Sequence, residues 1–165
     1  MAKPKKQIMI VVAIVVIAGA AAGTYFGLDY LGESRLQRFE ELQDEHTAKG
    51  TTVEANVNAV AVALQGLDWQ TGKTESQKTI TSFQEVIEID EELAKLANQL
   101  DLAEDAAKFS KRKETEEVII EFYQKTIECA DYAIAEDQTS FATCDTEAGE
   151  IYDRFLALNE EFNTL

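Results

Sequence analysis

Proline occurs once in the 165 residues, at Pro4, and glycine is scarce beyond the first third. A chain so poor in helix breakers and so rich in Ala, Leu, Glu, Lys and Gln is expected to be helical. No alternating run of β-branched residues bounded by turn residues occurs, so strands are not expected. Histidine also occurs once, at His46, and both methionines, Met1 and Met9, lie at the N-terminus. One histidine cannot supply the paired Glu-x-x-His units of a di-iron bundle. His46 and two cysteines fall short of a zinc site of the usual His/Cys kind. Covalent haem would need C-x-x-C-H, which is missing, and axial methionine ligation is excluded by the position of Met1 and Met9. His46 reads as an exposed histidine at a helix end. No cofactor and no metal site is expected, and no residue is assigned a catalytic role.

Positive charge is scarce past residue 28. The first 28 residues hold Lys3, Lys5 and Lys6 and no acid, which leaves 12 basic residues against all 31 acids, a net of −19. Such a surface repels phosphate backbones, so nucleic acid is not an expected partner. It also repels anionic headgroups, so the acidic part should stand off a bilayer surface. The acids cluster at Glu40-Glu41 with Asp44-Glu45, at Asp90-Glu91-Glu92, at Glu116-Glu117 and at Glu160-Glu161. No EF-hand spacing links them. They read as solvated helix faces, with weak, diffuse binding of divalent cations as the sharper alternative. Thr71-Gly72-Lys73-Thr74 looks like the end of a phosphate-binding loop, but Gly66 precedes Gly72 with five residues between them where that loop has four. A turn and a helix cap account for it better.

What is present is a long uncharged run. Gln7 to Leu28 holds no charged residue over 22 positions, roughly 33 Å of helix and enough to cross a hydrocarbon core. The lysines directly before it place the N-terminus in the cytoplasm and the rest outside. Tyr25, Phe26 and Tyr30 gather at the outer end, where amphipathic rings favour the interface. The organisation expected is a basic cytoplasmic N-terminus over 1–6, a transmembrane signal-anchor over 7–28, and an acidic extracytoplasmic domain over 29–165. The rival is a cleaved signal peptide with Ala20-Ala21-Ala22 as its cleavage site. A pilin-like segment fits poorly: no Gly precedes the apolar run and no acid lies early in it. Within the run, Gly19, Gly23 and Gly27 recur every four residues and share one helix face. Small residues allow close backbone approach between helices in lipid, which makes this face a candidate contact to itself or to a partner helix.

From Asp29 onward the apolar residues keep helical spacing. Leu36, Phe39 and Leu42 share a face, and Val53, Val57, Val60, Leu64 and Leu67 form a heptad-like stripe. Thr51 with Glu54 offers a capping box, but whether Gly50 breaks the helix is left open. Asp68 to Lys73 reads as a turn, and Thr74 with Gln77 as the start of the next helix, which carries Ile80, Phe83, Val86, Leu93 and Leu100. Asp101 with Glu104 suggests a break near 99–102. The following helix carries Phe109, Ile119, Tyr123 and Ile127, and its charged middle, Lys111 to Glu117, is expected to be exposed. After a turn near Asp137, a last helix shows Phe141, Cys144, Ala148, Ile151, Phe155, Leu158 and Phe162 in steps of three and four. Short connections favour an all-α, antiparallel, up-down-up-down four-helix bundle, with a long bent three-helix arrangement as the alternative.

Cys129 and Cys144 flank the last turn symmetrically, so antiparallel helices bring them level and a structural disulfide is expected. Trp69 reads as an end cap of the bundle or as an exposed anchor for a partner. The functional expectation is a non-catalytic, single-pass structural or accessory subunit of a membrane or cell-envelope complex. Its partners would be the lipid bilayer and other transmembrane helices, in a homo-oligomer or among other subunits. The alternatives are an extracytoplasmic ligand-binding or sensing bundle that works with a separate membrane partner, and a secreted helical protein.

Overall fold

The computed structural model describes residues 33–164. They form four α-helices: α1 Glu33–Gln65, α2 Trp69–Gln99, α3 Ala103–Ile134 and α4 Gln138–Phe162. Each helix packs along the one before it in the chain, as turns of three residues require of antiparallel neighbours. The expected all-α, up-down-up-down arrangement is the one adopted. α1 and α4 share no comparable contact, so the bundle stays open along that side. Among the described residues no helix is long and apolar enough to cross a membrane. The transmembrane helix expected over 7–28, with Gly19, Gly23 and Gly27, lies outside the described residues.

The apolar core is in two parts. Val57, Val60, Phe83, Ile119, Tyr123 and Phe155 belong to one cluster drawn from all four helices. Phe39, Leu42, Leu93, Ala97, Leu100 and Phe109 belong to another drawn from α1, α2 and α3 alone. The difference follows from length. α4 has 25 residues against 31 to 33 in the others, and near its end Glu161 pairs with Lys111 of α3 at 2.5 Å. The bundle is thus four helices wide at the end that holds turns 66–68 and 135–137, and three wide at the other.

All three turns use one device. Leu67, Asp101 and Glu136 have φ of 57°, 56° and 58°, the left-handed conformation that ends a helix and usually selects glycine. In each, the next N–H reaches back to a carbonyl five residues earlier. Asp68 donates to Ala63 at 2.9 Å, Leu102 to Ala97 at 2.8 Å and Asp137 to Tyr132 at 3.0 Å. Leu67 therefore leaves the α1 stripe on which the sequence placed it and is 56 % exposed. Asp68 then caps α2, its side chain accepting from the Thr71 N–H at 3.0 Å, and Asp137 caps α4 through Ser140 in the same way. This moves the start of α2 from Thr74 back to Trp69. The expected box at Asp101 does not form, because Leu102 is the cap and makes no side-chain bond. The box at Thr51 does not form either. α1 runs through Gly50, which is buried, and the Thr51 hydroxyl donates back to Thr47 at 3.3 Å. Gly72 lies inside α2, where an added Cβ would sit 2.7 Å from Leu64 Cδ2, so its smallness lets α2 approach α1.

Cys129 of α3 and Cys144 of α4 form a disulfide with a Cα separation of 5.5 Å, and both are buried. Reducing it should lower stability by about 3 kcal/mol, the chain-entropy value for a loop of this length, read as a drop in unfolding midpoint on adding reductant. Replacing Leu67 with Gly should raise stability by about 0.5–1 kcal/mol, since it removes left-handed strain of about 1–2 kcal/mol at the cost of some chain entropy. A lower melting temperature for Leu67→Gly would contradict that account.

Candidate functional site

Between the two apolar clusters lies a layer of polar side chains built by three helices. On α1 the buried positions run Phe39, Leu42, His46, Gly50 and Val53. On α2 they include Phe83, Val86, Asp90, Leu93 and Ala97, and on α3 Phe109, Arg112, Glu116, Ile119 and Tyr123. Each series steps by three and four, so His46, Asp90, Arg112 and Glu116 occupy core positions by helical periodicity. Their exposures are 2 %, 0 %, 4 % and 3 %.

This overturns two expectations. His46 stands inside α1, facing α2 and α3, where the sequence suggested an exposed helix end. Asp90 and Glu116, taken for members of solvated acid faces, are sealed in the core, and so is Arg112 from the charged middle of α3. Other acids keep the expected role. Glu85, Glu91, Glu92, Glu121 and Glu147 pair with cations across helices at the surface.

The centre of the layer is an ion pair. Arg112 Nε donates to Asp90 Oδ2 at 2.6 Å and Arg112 Nη2 to Asp90 Oδ1. This is the two-pronged fork that guanidinium and carboxylate form best. The Arg112 guanidinium also lies over the Phe109 ring, 5.1 Å from its centroid. Burial raises the Asp90 carboxyl above its ordinary value, while the hydrogen bonds and charge of Arg112 pull it back.

Two groups beside this pair are unsatisfied. Neither ring nitrogen of His46 makes a hydrogen bond, nor does Glu116 Oε2. His46 Nε2 stands 3.4 Å from Asp90 Oδ1. Burial, then the Arg112 charge, lowers the His46 pKa to about 3, so the ring is neutral at physiological pH and keeps a lone pair. Burial first, then the Asp90 charge, pushes Glu116 well above the ordinary carboxylate range, against the pull of Arg112. One ligand atom each from His46, Asp90 and Glu116 falls within 4.8 Å of the others. The arrangement can hold a proton or a cation; it is too enclosed to admit an organic substrate.

The remaining sequence-assigned residues lie elsewhere. Cys129 and Cys144 join α3 to α4. Trp69 is half-buried at the start of α2 and meets the Phe141 ring edge-on, with centroids 5.3 Å apart, which ties turn 66–68 to turn 135–137. The sequence offered a signal for the polar layer: extending the α1 stripe through Gly50 puts His46 on it. Comparison with protein-family models, with curated proteins and with solved structures gives no match.

Removing one partner of the ion pair should be far worse than removing both. Arg112→Met leaves a buried, uncompensated Asp90 and should cost about 3–5 kcal/mol, whereas the Asp90→Leu/Arg112→Met double variant should recover most of that. Denaturant unfolding of the two variants, followed by circular dichroism, makes the comparison. Equal losses in both would show that the charge pair is not what the single substitution breaks.

Proposed function

We propose that this chain is a single-pass membrane protein whose acidic helical bundle lies outside the cytoplasm and works by binding, as a structural or accessory subunit of a membrane or cell-envelope complex. The observation that carries the reading is the uncharged run Gln7 to Leu28 with Lys3, Lys5 and Lys6 before it. The Cys129–Cys144 disulfide supports an oxidising compartment independently, since such bonds persist outside the cytoplasm. The bundle supports binding over catalysis, because the ionisable groups that converge, His46, Asp90 and Glu116, are enclosed in the core. Contact within the membrane would run along Gly19, Gly23 and Gly27, where small residues let a second helix approach.

The test combines topology with partner retention in the native membrane. Residues 29–165 should be digested by protease added to intact cells or spheroplasts, and the chain should stay with the membrane after a high-pH wash. Replacing Gly19, Gly23 and Gly27 together with Ile should abolish cross-linking to a neighbouring transmembrane helix. A mature N-terminus at Ala21 or Gly23 would replace this reading with that of a secreted helical protein. A protected bundle would reverse the topology.

A further inference from the structure

A buried imidazole with neither nitrogen bonded, beside a buried carboxyl oxygen with no donor, is an uncommon thing to keep in a core. Each unmet group costs about 1–3 kcal/mol, and native interiors hold few of them. Here three such atoms, His46 Nδ1, His46 Nε2 and Glu116 Oε2, sit in one layer. They belong to two separate helices, α1 and α3, so no local backbone requirement puts them there.

We propose that His46, Asp90 and Glu116 form a mononuclear binding site for a divalent first-row transition metal of the zinc class. One ligand atom from each lies within 4.8 Å of the other two. Around tetrahedral zinc, with bonds of about 2.0–2.1 Å, ligand atoms are about 3.3–3.5 Å apart. The His46 Nε2 to Asp90 Oδ1 distance of 3.4 Å already matches that edge, and Glu116 has to draw in from at most 4.8 Å to close the other two. Tetrahedral coordination would take one further donor beyond these three.

The donor set selects the metal. Calcium takes six to eight oxygens and magnesium a near-ideal octahedron with several waters. One imidazole nitrogen with two carboxylates suits borderline cations better. Arg112 acts as the group that orients a ligand: its fork fixes the Asp90 plane, the role that hydrogen-bonded partners play behind metal ligands. Its charge opposes a cation, and the two carboxylates offset it, so chelators should strip the site. A groove at the surface reaches Asp90 between α2 and α3; Glu91, Glu114, Glu117 and Lys113 line it, with Lys113 paired to Glu91 and Glu117. The site is independent of the membrane topology proposed above.

The experiment uses the full-length chain in mild detergent, stripped with EDTA and then exposed to zinc chloride. One zinc per chain should survive desalting, as measured by elemental analysis, and the melting temperature should rise. Cobalt(II) bound in place of zinc should give the visible absorption of a tetrahedral site, a readout on the unaltered chain. Loss of a group that only orients a ligand costs 10–100-fold in affinity, so His46→Gln and Glu116→Gln should each weaken zinc binding at least about tenfold. Glu88→Gln, close in sequence to Asp90 but exposed and outside both the site and the groove, should not. The proposal is overturned if the unaltered chain retains no zinc. It is equally overturned if both core variants bind zinc as the unaltered chain does, or if calcium at equal concentration displaces it.

Discussion

The buried pair of Asp90 and Arg112 constrains everything around it. Taking both charges out of water costs several kcal/mol each, and the cost is recovered only when the two meet in good geometry. They meet only if α2 and α3 keep one register, since a slip of one residue would rotate both off the core stripe. His46 and Glu116 extend the same requirement to α1, so the polar layer sets the axial alignment of three helices that apolar contacts alone would leave freer to slide. The Arg112 guanidinium lies over Phe109, and Phe109 meets Phe39 edge-on at 5.9 Å. The layer therefore grips the lower apolar cluster as well as dividing it from the upper one.

The rest of the architecture supplies rigidity at the opposite end. The two turns there are drawn together by Trp69 against Phe141, and Lys73 of α2 reaches Asp131 of α3 at 2.5 Å. The disulfide then ties α4 to α3 where α4 has no other long-range partner of comparable extent. α4 is the shortest helix and lies at the edge of the row, so a covalent link there restrains the element with the least packing to hold it. The three left-handed turn residues act in the same direction. None is glycine, so each turn carries strain, and the packing of long helices overrides the local preference.

Much of this was legible in the residues. Four helices, their antiparallel order, the break near residue 100 and the disulfide all followed from spacing and from the symmetry of Cys129 and Cys144 about one turn. The misreadings share a cause. Gly72 and the capping box at Thr74 suggest a turn, yet α2 runs through both, and the chain turns instead at Leu67, a residue that spacing places on the α1 stripe. Residue type puts polar groups at the surface, yet His46, Asp90, Arg112 and Glu116 lie on the core stripes. In both cases a rule about residue type was applied where helical period was the better guide, because period records which face a side chain presents and type records only its cost there.

By itself the sequence determined helix content, the uncharged opening run, the strong acidity and the reach of one cysteine to the other, because each depends on composition or on neighbours along the chain. Only the tertiary structure decided which ionisable groups are buried and which of them meet. Asp90 and Glu116 carry the same carboxyl as the exposed acids beside them. What distinguishes them is the position of a third helix, and with it the charge of Arg112 and the removal of water.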